Sequence, residues 1–513
     1  MKDSRKIKKV ILGDWICLEE FAAVARYGAE VEFSQEYCSR VKKNRTLVEK
    51  WVDEGKVMYG VTTGFGALCT KAIDKDETEK LQENIILTHS VSVGEPLKEE
   101  AVRGMLLMVL QNLGQGRSGV RLEVLELYKE FLNRGITPLV PSEGSVGYLA
   151  LEAHAALVLM GMGKAWYQGE LLSGKEALEK AGLAPMKLSS KEGLALVSGT
   201  TSPTALAALA LYDLLKAAKT ADVIGALTLE TLKGVMNAFD DRVMQVRPHP
   251  DQKKVAENIR NLLKDSGIIE KYKGSKVQDA LSLRCMPQLH GAARKTLEDA
   301  RKTIEIEMNS CCDNPIIWGE EGEEDVISAC NPDSSYVGME MDSASIAACS
   351  LGKMSERRNN RIIDESLSGY PWFCIGKPGL NSGLMIPQYT QAGLLNEMRV
   401  LASPAVIDNT PTCGNQEDYV AMGYFACKKA GMIAEKLEYI LAIELLSDYQ
   451  AQQFQDQEAK RSSVSEAIYK KLGEQIPVMD NDMLIYPHLE YLKEEIHEGR
   501  ILDAAEEIIG EMN

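Results

Sequence analysis

The chain has 513 residues, 45% hydrophobic and 26% charged, a balance ordinary for a soluble globular protein. A formal net charge of −17 repels phosphate backbones and acidic lipid, which argues against nucleic-acid and membrane partners. Aromatics are sparse at 6%, so the core is expected to be aliphatic and methionine-rich, which suits helix-on-helix packing.

Along the chain, residues 1–50 read as irregular, with strand-like patches at Lys9–Leu12 and Val31–Phe33. The basic start has an apolar run too short for a signal peptide. Residues 59–70 form a Gly/Thr-rich loop. From Glu77 the pattern turns helical, with Leu81, Ile85, Ile86 and His89 at i, i+4, i+5, i+8. Ala101–Leu113 and Leu122–Arg134 read as helices, and Pro138 and Pro141 end regular structure. Apolar helical runs follow at Ala150–Gly161, Ser202–Leu232, Pro287–Asn309, Asp342–Glu356 and Asn415–Leu446. Ser202-Pro203 reads as an N-cap with proline at the first helical position. A charged helical tail covers Ser462–Asn513. No stretch approaches the ~18 uninterrupted apolar residues of a membrane span. The expected class is mainly α: a long-helix bundle with a mixed N-terminal part (1–150), a central bundle (151–455) and a polar helical appendage (456–513).

The 11 cysteines are odd in number and scattered, with no C-x-x-C pair. That pattern predicts reduced thiols in a cytoplasmic protein, with no disulfide framework and no zinc site. The six histidines show no metal spacing. Gly114-x-Gly116-x-x-Gly119 matches a dinucleotide fingerprint in letters, but a helix precedes it where the fingerprint needs a strand. A glycine-rich helix C-cap is the better reading, and no nucleotide is expected. Ser145 lacks a glycine two residues before it, so it is not a hydrolase nucleophile. His154, on an apolar helix, reads as a hydrogen-bonded core residue. Tyr59 heads a loop whose glycines would let the backbone pass close to a ligand.

Several blocks share one order: Tyr59-Gly60-Val61-Thr62-Thr63-Gly64-Phe65-Gly66, Leu87-Thr88-His89-Ser90, Gly144-Ser145-Val146-Gly147, Val197-Ser198-Gly199-Thr200, Leu283-Arg284-Cys285 and Asn415-Gln416-Glu417-Asp418. From about Lys56 to Leu446 the chain resembles the aromatic amino-acid ammonia-lyases, in pattern most like those acting on histidine. The resemblance implies a helical homotetramer whose sites draw on several subunits. It also implies a self-derived methylidene-imidazolone that bonds the substrate amine, since ammonia is a poor leaving group. Tyr59 matches the base that takes the β-proton, and Arg284 matches the clamp on the substrate carboxylate, which an arginine can hold bidentately. Glu417 and His89 match the residues that favour an imidazole ring. Gln416, Asn381 and Gln388 keep their motif places, and Tyr336 sits where the family usually carries phenylalanine.

The departures from the family pattern cluster around the electrophile. The Ala-Ser-Gly that cyclises into the imidazolone is missing: Gly147 runs straight into Tyr148, which stands where the family has aspartate. Ser198 replaces the asparagine of Asn-Gly-Thr. Leu281 replaces a tyrosine ahead of Ser282-Leu283-Arg284. Two accounts of the gap stay open on the sequence: a modified residue that does not print as letters, or a true deletion. Three functions follow: an ammonia-lyase of histidine or a related aromatic amino acid, an imidazolone-free homologue with a changed lyase-type reaction, or a non-catalytic amino-acid-binding homologue.

Overall fold

The computed structural model describes residues 3–74 and 77–513 and is mainly helical. Its Cα packing divides it into two compact units. The first comprises Met1–Tyr212, Ala300–Asp342 and Pro404–Lys428; the second comprises Asp213–Asp299, Ser343–Ser403 and Lys429–Asn513. The contiguous division expected at 150 and 455 follows elements in order, whereas the packing units interleave along the chain.

All the small sheets belong to the first unit. Lys9–Leu12 pairs in parallel with Glu30–Phe33, and Val93–Pro96 runs antiparallel to Pro141–Glu143. Lys164–Tyr167 lies between Thr137–Pro138 and Glu170–Ser173, and Ile316–Trp318 pairs with Asp325–Ile327. The helix Glu99–Leu113 runs through the core of this unit. Every residue from Ala101 to Leu113 is buried. Each large aliphatic side chain so buried contributes about 1.5–3 kcal/mol of hydrophobic stabilisation. Its Arg103 is held by the carbonyls of Val24, Ala25 and Leu132.

The N-terminal fifty residues are more regular than their sequence suggested. Leu18–Ala25 is a helix whose N-cap amide, Cys17 N, donates to Glu20. Gln35–Asp53 is a second, capped by Ser34 Oγ accepting from Tyr37 N at 3.1 Å. This helix is polar on average, but Val41, Val48, Trp51 and Val52 form one buried stripe, and only the packing partner reveals that face. Other bounds shift too. The helix expected from Ser202 begins at Thr201, so Ser202 lies inside the first turn, its N–H donating to Glu152 Oε1 at 2.9 Å. The helix expected from Asn415 begins at Gly423. The stretch before it holds a 3-10 turn at Cys413–Asn415 and then an open loop, with Cys413, Asn415 and Met422 in the left-handed region. Gly114 is the C-cap of Glu99–Leu113, its N–H donating to Leu110 O at 2.9 Å.

The second unit is helical and centred on buried charge pairs. Arg358 grips Glu444 through two hydrogen bonds of 2.5 and 2.9 Å, both side chains fully buried, and Thr228 donates to the same carboxylate. Asp222 accepts from His290 at 2.8 Å and Arg294 at 2.9 Å. Among the described residues, one stretch, Glu192–Thr231, is long and apolar enough to cross a membrane, and 94% of its most apolar window is buried inside the protein.

Candidate active site

The site forms in the first unit, where three loops meet. The Tyr59 loop is pinned at its base: Met58 and Val61 are fully buried against Val48, Trp51 and Ile317. Within the loop, Met58 N donates to Thr62 Oγ1 at 2.8 Å and Gly60 N to Thr63 Oγ1 at 3.2 Å. Gly60 has φ +64°, and a Cβ there would lie 2.4 Å from Leu194 Cδ2, so only glycine fits. Gln82 clamps the loop from below. It donates to Gly60 O at 3.1 Å and accepts from Leu194 N at 3.0 Å.

Tyr59, so held, accepts a hydrogen bond on its phenol oxygen from Gly66 N at 2.7 Å. Burial pushes its pKa above the usual value for a phenol; the Gly66 N–H opposes that, and Cys413, Glu417 and Cys69 add to it. Cys413 belongs to the second loop and accepts from Ala67 N at 3.4 Å, which ties the two loops together. The same loop folds back on itself through Thr412 N donating to Glu417 O at 2.8 Å.

Glu417 is the centre of the cluster. Its Oε2 accepts from Tyr148 Oη at 3.0 Å and from Thr412 Oγ1 at 2.9 Å. His89 ends the helix Thr78–His89, its ring tilted against Phe65 with centroids 5.3 Å apart. Its Nδ1 lies 2.7 Å from Ile85 O, an acceptor, so the proton sits on Nδ1 and Nε2 is left as an acceptor. Burial lowers the His89 pKa below the usual imidazole value, opposed by the Ile85 carbonyl and by Glu417. The imidazole is therefore neutral at pH 7.

The third loop carries the break in the family pattern. Gly147 has φ +138°, and a Cβ there would lie 2.4 Å from Ser334 Oγ. Its N–H donates to Ser145 Oγ at 3.1 Å. Tyr148 follows directly. The chain then turns through Leu149 at φ +77°, ψ −66°, with Ala150 N donating to Tyr148 O at 3.1 Å. This is a γ-turn of the strained, positive-φ kind, costing on the order of 1–3 kcal/mol. Leu149 N is anchored on Val197 O at 3.1 Å, beside Ser198. Ser198 is buried and structural here: its Oγ accepts from Asn314 N at 3.1 Å and its carbonyl from Asn112 Nδ2 at 3.4 Å. Tyr148 is pushed well above the usual phenol pKa, by burial first and then by Glu417, with smaller contributions from Cys330 and Asp333.

Tyr59, His89, Gly147, Tyr148, Ser198, Tyr336, Gln416 and Glu417 thus belong to one unit, with Tyr336 and Gln416 exposed. Leu281, Arg284, Asn381 and Gln388 belong to the other. Arg284 ends the short helix Leu281–Arg284, and its Nε is buried with no hydrogen-bond partner, a donor suited to an incoming carboxylate. Leu281 beside it is 60% exposed. The amide of Asn381 is engaged locally, donating to Gly376 O at 3.0 Å and accepting from Asp482 N at 3.2 Å. Gln388 donates to Asn360 at 2.7 Å. His154 Nε2 is buried without a hydrogen-bond partner, against the expectation of a hydrogen-bonded core residue.

Cys413, Thr412 and Phe65 are the site residues that sequence reasoning passed over. Their signal was proximity in sequence to Glu417 and Tyr59. Asp213, Glu438 and His497 bring ligand atoms within 4.8 Å of one another in the second unit, far apart in sequence. Lys493 and Lys216 already balance that cluster, at 3.5 Å from Glu438 and 3.8 Å from Asp213.

A helical fold with a tyrosine-headed loop, a carboxylate–phenol–imidazole cluster and a Gly-Ser-Val-Gly turn defines a class, the lyases built on long helices. The family model for aromatic amino acid lyases matches residues 16–474, and the chain belongs to that family. The chain is similar to the histidine ammonia-lyase of Alkaliphilus metalliredigens, with 44% identity over 98% of this chain and 99% of that protein. The solved histidine ammonia-lyase of Trypanosoma cruzi superposes with a TM-score of 0.91 at 32% identity, covering 98% of this chain and 95% of that one. Ergothionase of Treponema denticola, an ergothioneine-degrading enzyme, superposes with a TM-score of 0.89 at 28% identity, covering 96% of this chain and 100% of that one.

The imidazolone characteristic of this family does not fit the residues present. Ala-Ser-Gly occurs nowhere in the 513 residues. At the place where it would form, Gly147 is bonded to Tyr148, whose hydroxyl is taken by Glu417. The Leu149 turn, anchored on Val197, closes the chain over the gap.

Proposed function

We propose that the protein is a carbon–nitrogen lyase acting on histidine or an imidazole-bearing relative of it, removing the α-nitrogen and a β-proton to leave an α,β-unsaturated acid. One observation carries this reading. Glu417 uses only Oε2 for its protein partners, and His89 uses only Nδ1. Glu417 Oε1 and His89 Nε2 are left as two acceptors, and the Glu417 charge acts on the His89 ring. An imidazolium ring offers two N–H donors, and a phenyl ring offers none. The histidine ammonia-lyases at 40–44% identity support the same choice.

In this reading Tyr59 Oη takes the β-proton and Arg284 holds the substrate carboxylate. The charged groups that act most on Tyr59 raise its pKa, and Arg284 of another copy in a homotetramer completes the site with a positive charge. Substrate is a small amino acid, and the compartment is the cytoplasm. The test is to mix the protein with histidine, Nα-alkylated histidines and phenylalanine, and to follow the unsaturated acid by its absorbance and binding by thermal shift. Stabilisation by the imidazole compounds but not by phenylalanine is expected. Indifference to all of them overturns the reading.

A further inference from the structure

The loop that should carry the electrophile carries Tyr148 instead, and this changes which substrate the site can process. Elimination across Cα–Cβ requires two events. A base removes a hydrogen bound to carbon, and the nitrogen leaves with the electron pair of its bond. On a primary ammonium these events conflict. A base strong enough to take the carbon-bound proton takes the far more acidic N–H proton first. What remains is a neutral amine that could leave only as an amide ion. An electrophile that bonds the nitrogen removes that conflict, and this chain lacks the residues to make one.

The conflict also vanishes if the nitrogen carries no proton at all. A quaternary nitrogen cannot be deprotonated and leaves as a neutral tertiary amine. Its fixed positive charge is favoured beside an anion, and Glu417 is that anion: its charge acts on both Tyr59 and Tyr148, and its Oε2 accepts from Tyr148. A quaternary ammonium also donates no hydrogen bonds and is held by aromatic faces and nearby carboxylates. Tyr148 meets that need. Its hydroxyl donates to Glu417 Oε2 at 3.0 Å, so what remains of its half-buried side chain is the ring. Tyr59, on which the Glu417 charge acts, and Phe65, stacked at a tilt on His89, are two further rings on the Tyr59 loop.

We infer that the substrate is a betaine, an imidazole-bearing amino acid whose α-nitrogen is fully alkylated, and that the leaving group is a tertiary amine. The inference rests on the lyase reading above and narrows it. The step balances without a cofactor. Tyr59 Oη takes the β-proton, the C–H electron pair becomes the Cα=Cβ bond, and the C–N pair departs on the nitrogen. Nothing is oxidised or reduced, and the proton on Tyr59 passes to water when the products leave.

The test uses the full-length protein with three substrates that differ only at nitrogen: histidine, Nα,Nα-dimethylhistidine and Nα,Nα,Nα-trimethylhistidine. The unsaturated acid is followed by absorbance and trimethylamine by NMR. Turnover of the trimethyl compound at least ~1,000-fold faster than the dimethyl compound is expected, the scale of a general-base step that is either available or blocked. The dimethyl compound is nearly the same size but retains an ionisable N–H, so steric fit alone does not produce that gap. Tyr148→Leu is expected to raise KM for the trimethyl compound ~10-fold with little change for binding of imidazole propionate, as for loss of a cation–π partner. Comparable or faster turnover of histidine overturns the inference while leaving the lyase reading intact. Binding of all three without turnover of any overturns the inference and the lyase reading but keeps the imidazole pocket. Failure of all three to bind overturns the pocket as well.

Discussion

At the scale of single residues, the site is a set of proton donors and acceptors whose states follow from burial. Tyr59 is held above its ordinary pKa near ~10, so at pH 7 it is the acid form. Below that pKa its base form grows tenfold for each unit by which the pH rises. The expected outcome is a kcat/KM that climbs with unit slope through pH 9, and a flat profile over pH 7–9 would remove Tyr59 as the base. Tyr59→Phe deletes only the hydroxyl, and turnover should fall ~100-fold or more while ligand binding survives. Glu417 presents its free oxygen to the ligand. Glu417→Ala should weaken imidazole-bearing ligands by ~10-fold or more and leave phenyl analogues nearly unchanged, measured by calorimetric titration. Equal losses on both would show that Glu417 merely supports Tyr148. The two acceptors were legible as residues in the sequence. Which atom of each stays free was not, because that depends on Thr412, Tyr148 and Ile85 reaching them in space.

Among the elements, the short helix Glu192–Val197 matters most, because its end places Val197 and Ser198 against the Leu149 turn. Two charge contacts fix it. Arg121 grips Glu192 through a pair of 2.7 Å hydrogen bonds, and Lys191 meets Asp313 at 2.6 Å with both side chains fully buried. Removing one partner of such a pair leaves an uncompensated charge in the interior. Asp313→Ala should cost about 3–5 kcal/mol, seen as a lowered midpoint in denaturant unfolding. A loss below ~1 kcal/mol would mean that water reaches Lys191. The Gly147 turn behaves differently. Gly147→Ala drives a methyl into Ser334, so the loop must move, and activity should fall more than global stability does. Helix existence was legible wherever apolar residues recurred with helical spacing, as at Leu122–Arg134, which the structure reproduces residue for residue. Gln35–Asp53 escaped because its polar surface outweighs a narrow buried stripe. The loop 415–422 escaped because left-handed residues stop a helix without any proline to announce it.

For the whole molecule, the packing units are each assembled from three separate stretches, and the site residues divide between them. Arg284, with a buried Nε lacking a partner, is not in the unit that holds Tyr59 and Glu417. A homotetramer that brings Arg284 of one copy to Tyr59 of another would complete the site. Light scattering at micromolar concentration should give four times the chain mass. A monomer that retains full turnover would refute that assembly. Intact mass spectrometry bears on the electrophile: the expected mass is that of the printed chain, with no added residues and no loss of water.

The sequence by itself determined the family, the helical class, the absence of Ala-Ser-Gly from the printed residues and the identity of the chemical groups, because these are properties of order and composition. Tertiary structure decided what those groups can do. Tyr148 became a ring with an occupied hydroxyl because Glu417, 269 residues away, accepts from it. His89 became a neutral acceptor because burial outweighs the charge of the same carboxylate. Ser198 and Asn381 became structural because backbone amides of Asn314 and Asp482 claimed their side-chain oxygens. Free lone pairs and exposed ring faces are what remain after packing has satisfied everything else, and that remainder is set by distant neighbours in the folded chain.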